Sequence, residues 1–152
     1  MRVALGLGSN VGDRRAHLET ALRRLRARLE VHSVSRFVAT GPVGGPPQGE
    51  YLNAAALVET ELSPRALLEL AHALEEAAGR QRDVAWGPRT LDIDLLLYGD
   101  EVVRDADLVI PHPRLHERGF VLDPLAEIAP DWIVPRLDRT VRELREDLHH
   151  RC

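Results

Sequence analysis

Two aspartates sit two residues apart in the run WGPRTLDIDLLLYG, residues 86–99. The run LDIDLLLY reads as a strand, and side chains two apart on a strand share a face. Asp92 and Asp94 therefore point one way, and Leu91, Ile93 and Leu95 the other. Two carboxylates side by side repel, and burying them without a positive partner is costly. A hard divalent cation with oxygen ligands satisfies both, and magnesium shared with substrate phosphates is the commonest such arrangement. The plainer alternative is an exposed strand face paired with arginines. Arg80, Arg82 and Arg89 flank the pair, and arginine forks beside a cation suit a polyphosphate. Solubility alone would also account for three arginines in a polar loop.

Only six aromatic side chains occur, two each of Phe, Tyr and Trp. Tyr51 follows a Gly/Pro-rich stretch, Trp86 lies among the arginines, and Phe120 follows Arg118-Gly119. An aromatic beside a glycine-rich loop suits stacking on a flat heterocycle, although Tyr51 and Phe120 could equally be core residues. Asn53 falls on the same strand face as Tyr51, and its amide can both donate to and accept from a ring edge. His112 and His116 have a spacing that binds zinc on a helix, but Pro111 and Pro113 argue against a regular helix there. GLGSNVG resembles part of a dinucleotide fingerprint with its third glycine one position late, at Gly12. It reads as a turn with close backbone approach.

These residues need elements to hold them. Val3, Leu5 and Leu7 alternate with Arg2, Ala4 and Gly6, predicting a strand over 2–8 with one buried face. Leu18, Leu22, Leu25 and Leu29 recur at helical spacing. VHSVSRFVAT, residues 31–40, predicts a second strand. Three prolines and four glycines in residues 41–49 exclude regular structure. Residues 51–60 predict a strand. Ser63-Pro64 opens a helix whose buried stripe is Leu67, Leu70, Ala71, Leu74 and Ala78, with Gly79 past its end. After the strand at 91–98 come a turn at Gly99-Asp100, a short strand near Val102 and Val103, and a helical turn at 114–119. Short helices at 123–128 and 140–150 follow. The order is roughly βαββαβ with C-terminal additions, an antiparallel or mixed sheet with helices on one face.

The chain has 152 residues and 17.0 kDa, one domain's worth over 1–152. No apolar run approaches the roughly 20 residues of a spanning helix, and the N-terminus lacks a signal pattern. The single cysteine, Cys152, excludes an intrachain disulfide and fits a cytoplasmic protein. All 20 basic residues are arginine, which excludes a P-loop lysine and a lysine Schiff base. A formal net charge of -4 argues against a nonspecific nucleic-acid binder.

Taken together, GLGSN at 6–10, TGPVG at 40–44, YLNAA at 51–55, GRQR at 79–82, WGPRTLDIDLLLYG at 86–99 and PHPRLHERGFVLDPLAEIAP at 111–130 resemble the 6-hydroxymethyl-7,8-dihydropterin pyrophosphokinases. The resemblance spans nearly the whole chain. It implies a ferredoxin-like α/β fold and transfer of pyrophosphate from ATP to the pterin hydroxymethyl group in folate biosynthesis. AMP and the pterin diphosphate are the implied products. It places two magnesium ions on Asp92 and Asp94, with Arg82 and Arg89 also catalytic. It implies ATP contacts from Arg80, Arg82, Trp86, Arg89, His112 and Arg118, with the adenine against backbone near Leu95 and Val109. Tyr51 and Phe120 would sandwich the pterin, while Asn53, Thr40, Pro42 and Val43 read its edge. Asp107 and Val109 depart from relatives that carry arginine and threonine there. A monomer or weak dimer, with neither nucleic acid nor membrane as partner, is the expectation. The competing readings are a noncatalytic ferredoxin-like module binding nucleotide or RNA, and a magnesium-dependent nuclease. The nuclease leaves the aromatics and Asn53 without a role.

Overall fold

The computed structural model describes residues 1–40, 51–79 and 90–150. Its centre is β1 (Arg2–Ser9), which pairs antiparallel with β4 (Tyr51–Glu59) on one side and β5 (Asp92–Tyr98) on the other. Beyond β4 lie β2 (Glu30–Val34) and β3 (Val38–Thr40), so the sheet runs β2-β4-β1-β5 with β3 also on β4. The result is a mixed α/β architecture on an antiparallel sheet.

The expected continuous strand over 31–40 is broken. Ser35, buried at the break, accepts the Ala55 N–H on its hydroxyl at 2.8 Å, and its own N–H reaches the Ala55 carbonyl at 2.9 Å. Arg36 turns outward and gives both its backbone N–H and its guanidinium to Glu127, each at 2.7 Å. A side-chain hydroxyl replaces a ladder acceptor here, so the backbone stays satisfied while the strand bends.

Helix α1 (Arg14–Arg26) starts at Asp13, whose carboxylate accepts the Ala16 N–H at 3.1 Å. Helix α2 (Pro64–Ala77) starts as expected at Ser63, which accepts from Ala66 at 3.1 Å. Gly79 follows with φ of 87°, the left-handed conformation that terminates a helix cheaply. Leu18, Leu22 and Leu25 of α1 and Leu67, Leu70 and Leu74 of α2 bury against Val3, Leu5 and Leu7 of β1.

The opposite sheet face is covered too, which corrects the expectation of helices on one face. Helix α3 (Gly119–Ile128) and helix α4 (Val141–His150) bring Leu122, Leu125, Val141 and Leu144 onto Ala4, Ala55, Leu96 and Leu97. Strand β1 is therefore buried on both faces, with Ala4 as inaccessible as Val3. Its small residues at 4, 6 and 8 are where helices or a cleft come close, not where solvent begins. Helix α3 begins four residues before the expected 123. Pro124 costs it one internal hydrogen bond, but Leu122 and Leu125 are fully buried and outweigh that loss. Helix α4 opens with a capping box: Glu143 N–H donates to Thr140 Oγ1 at 3.1 Å, and Thr140 N–H donates to Glu143 Oε1 at 2.9 Å.

Two small ribbons complete the chain, β6 (Val103–Arg104) with β7 (Val109–Ile110), and β8 (Ile133–Val134) with β9 (Arg139–Thr140). Among the described residues no helix is long and apolar enough to cross a membrane.

Candidate active site

The C-terminal end of β1 and the N-terminal ends of β4 and β5 meet at one edge of the sheet. Cross-strand register pairs Val38 with Asn53, Asn53 with Gly8, and Gly8 with Asp92, a row running across four strands. One step inward, Gly6 pairs with Asp94. Paired residues and residues two apart share a face, so Thr40, Tyr51, Asn53, Gly8, Asp92 and Asp94 all address one side. Adjacent strands lie about 4.8 Å apart, which puts Asn53 and Asp92 about 10 Å apart with glycine between them.

That glycine matters. A Cβ on Gly8 would stand 3.2 Å from Asn53 Oδ1 and 3.5 Å from Tyr51 Cδ1. The absence of a side chain at position 8 lets the Asn53 and Tyr51 side chains come close to the β1 backbone. Asp92 is half-buried and Asp94 exposed, so hard oxygen donors line one rim of this cleft.

The other rim is oriented by hydrogen bonds. Asn53 Nδ2 donates to Thr40 Oγ1 at 2.8 Å and to the Val38 carbonyl at 3.4 Å. A carbonyl only accepts, so the amide nitrogen faces β3 and Oδ1 faces the Gly8 floor. The sequence leaves Asn53 able to donate or accept; the fold assigns its amide hydrogens to β3 and leaves the oxygen for the cleft.

Helix α3 packs across β4, β1 and β3 and starts beside Arg118 and Phe120. The Arg118 guanidinium lies 5.5 Å from the centre of the Phe120 ring, a cation–π contact that couples the two side chains. His112 donates its backbone N–H to the Leu96 carbonyl at 3.0 Å, which anchors it two residues past Asp94. Its Nδ1 accepts the Arg114 N–H at 3.3 Å, leaving the proton of the neutral ring on Nε2. Burial, then the charges of Arg118 and Arg114, push the His112 pKa down to about 4. The ring is thus a neutral donor near pH 7. His116 lies in a single 3-10 turn, Leu115–Glu117, with Nε2 at 3.8 Å from Glu117. Among the described residues no three potential ligands gather as a zinc site would require.

Strand β5 departs from simple alternation. Its pairing with β1 slips between Ala4 and Leu5, where Leu5 faces Leu95 and Ala4 faces Leu97. The extra residue is Leu96, and Leu96 and Leu97 both enter the α3/α4 side of the core. Leu95 itself is buried on the α1/α2 side. Val109 is 38% exposed on the β6–β7 ribbon. Asp107 is engaged elsewhere, accepting from Arg65 Nη1 at 2.8 and 2.9 Å. Arg80, Arg82, Trp86, Arg89, Pro42 and Val43 lie outside the described residues.

Glu75, on α2, joins the site from outside the motifs. It is 3% exposed, and its Oε2 accepts the Ile93 N–H at 2.9 Å, between the two aspartates. The signal was present: Leu67, Ala71 and Glu75 follow each other at intervals of four, placing a carboxylate on a buried stripe. Charged residues are almost never fully buried without a partner.

Residues 4–130 match the family described as 7,8-dihydro-6-hydroxymethylpterin-pyrophosphokinase (HPPK). The chain is 44% identical over 146 residues to the 2-amino-4-hydroxy-6-hydroxymethyldihydropteridine pyrophosphokinase of Synechocystis sp., covering 95% of this chain and 74% of that one. It is 47% identical over 144 residues to the enzyme of the same name from Methylorubrum extorquens, covering 93% and 90%. Its fold is similar to that of Plasmodium falciparum HPPK-DHPS, solved with pteroate, at a TM-score of 0.80 and 16% identity. That match covers 99% of this chain and spans 42% of the longer protein. The noncatalytic module is thereby disfavoured. The chain belongs to the 7,8-dihydro-6-hydroxymethylpterin-pyrophosphokinase family, ATP-dependent transferases that move pyrophosphate onto the pterin hydroxymethyl group in folate biosynthesis.

Proposed function

We propose that pyrophosphoryl transfer takes place over the Gly8 floor, with the pterin held on the Asn53 side and the triphosphate on the Asp92/Asp94 side. The observation that carries this reading is the row Asn53–Gly8–Asp92, which sets a ring-reading amide and a carboxylate suited to metal on one face with a glycine, which has no side chain, between them.

Asp92 and Asp94 would hold two magnesium ions. Their hard oxygens fit such ions, and phosphate and water would supply the remaining ligands. Bound there, magnesium supplies charge neutralisation and alignment for the phosphates. The hydroxymethyl oxygen attacks the β-phosphorus, the bond from that phosphorus to the bridging α-oxygen breaks, and AMP leaves. Asp94, the more exposed of the pair, assists removal of the hydroxyl proton. His112 donates Nε2–H to a phosphate oxygen, and Arg118 adds a charged fork. Arg80, Arg82 and Arg89 extend that cationic grip, with Trp86 packed over it, as the family resemblance implies. Tyr51 and Phe120 stack on the pterin. Asn53 Oδ1 accepts from a ring N–H or amino group, and Thr40 with Pro42 and Val43 completes that edge. The adenine rests on main chain near Leu95 and Val109.

We read the strand and helix order as ferredoxin-like and residues 1–152 as one cytoplasmic unit, a monomer or weak dimer. The net charge of -4 supports small-molecule substrates over nucleic acid or an anionic membrane surface.

The decisive test is Asp94→Ala, assayed with ATP, magnesium and the reduced hydroxymethylpterin. Loss of AMP release by about a thousandfold or more, with thermal stability near wild type, is expected. Retained turnover removes the metal role from Asp94, and release of ADP in place of AMP rejects pyrophosphoryl transfer.

A further inference from the structure

Strand β5 ends the sheet path β2-β4-β1-β5, so among the described residues one of its edges has no further strand to pair with. Exposed backbone donors at such an edge are normally managed by some covering group. Here the Ile93 N–H is taken by Oε2 of Glu75 at 2.9 Å, from helix α2. Glu75 is 3% exposed, in a stripe otherwise made of Leu67, Leu70, Ala71 and Leu74. Keeping a carboxylate in that position is expensive in desolvation, and an apolar residue would serve helix packing better. A carboxylate there accepts a backbone donor of β5, which an apolar side chain cannot do.

The amide it grips belongs to the residue between Asp92 and Asp94. We propose that Glu75 is a positioning residue for the acidic pair: by clamping the peptide that joins Asp92 to Ile93, it sets the spacing and tilt at which the two aspartates present their oxygens. The inference rests on the reading that Asp92 and Asp94 hold magnesium. Without the clamp, the Ile93 N–H loses its acceptor and the peptide between the two aspartates loses a restraint. The Leu96 bulge lies two residues past Asp94 and already interrupts the β1–β5 register. Glu75 restrains the peptide within the pair, so the two aspartates are fixed by a clamp between them and a bulge beyond them.

The test is direct metal binding by the full chain, separate from turnover. Mn2+ affinity is measured by electron paramagnetic resonance with a nonhydrolysable ATP analogue present, for wild type, Glu75→Gln and Glu75→Ala. Groups that orient metal ligands typically contribute 10–100-fold to metal affinity. Glu75→Ala should weaken Mn2+ at least about tenfold, lower kcat and leave the pterin KM within about twofold. Glu75→Gln retains an acceptor oxygen and should stay within about threefold of wild type. Should the alanine variant fail to fold, Glu75→Met fills the space without accepting and takes its place. Leu74→Ala, one residue away in the same stripe, loosens packing alone and should leave Mn2+ affinity unchanged.

Equal losses in Glu75→Gln and Glu75→Ala would overturn the proposal, because the acceptor would then be immaterial. A matching Mn2+ loss in Leu74→Ala would reduce Glu75 to a helix-packing residue. Asp94→Ala separates the two levels. If it leaves Mn2+ affinity intact, the metal reading of the pair falls. If it abolishes affinity while Glu75→Ala does not, only the clamp falls.

Discussion

Gly8 faces Asn53 directly across β1 and β4, and a methyl group on Gly8 would stand 3.2 Å from Asn53 Oδ1. An oxygen that the fold has turned toward the cleft would have to give way. Gly8→Ala should therefore raise the pterin KM about tenfold while stability shifts by no more than about 1 kcal/mol. Steady-state kinetics with urea denaturation checks this. An unchanged pterin KM would show that the floor is not where the ring sits.

Thr40 holds Asn53 by accepting from Nδ2 at 2.8 Å. Thr40→Val keeps the shape and removes the acceptor. A neutral hydrogen bond is worth about 1 kcal/mol, so pterin binding should weaken about fivefold with ATP binding unaffected. Calorimetric titration of each substrate separates the two. Equal weakening would place Thr40 in the scaffold.

Phe120 carries Arg118 on its ring at 5.5 Å. Truncating it should cost the pterin its stacking surface and the phosphates only the indirect loss of an ordered guanidinium. Phe120→Ala is expected to weaken pterin binding by at least about tenfold and ATP binding by about threefold. Similar losses on both, measured by the same titration, would identify Phe120 as a core residue.

His112 has a pH signature. Burial, with help from Arg118 and Arg114, lowers its pKa from 6.5 in the unfolded chain to about 4 in the folded one. Between those values the unfolded chain binds a proton that the folded chain refuses. Stability contributed by this site therefore falls as pH drops from about 6.5 toward 4 and levels off below that. His112→Gln should flatten this part of the profile, read as the change in urea midpoint between neutral pH and about pH 5. A variant profile parallel to wild type would show that the ring is not held neutral by its surroundings.

Much of this arrangement was legible locally. The period-two pattern of DID puts two carboxylates on one face wherever the strand lies, because that alternation is a property of a single extended chain. Ser63 is a helix cap for the same kind of reason: its hydroxyl reaches a backbone N–H three residues away, at Ala66. Tyr51 and Asn53 share a face on identical grounds.

What surrounds those residues was decided elsewhere in the chain. Strand β1 reads as half-buried from its own alternation. It is buried on both faces because α3 and α4, more than 100 residues later, cover Ala4. The break at Ser35–Arg36 depends on Glu127, 91 residues from Arg36. The Leu96 bulge comes from fitting β5 to β1 while feeding two consecutive leucines to one side of the core. Asn53 loses its freedom to donate only when β3 arrives beside it. Periodicity is written in neighbouring residues, so the sequence determined which side chains travel together. Burial, register and hydrogen-bond partners arise between segments distant along the chain, so only the tertiary structure decided what each of them meets.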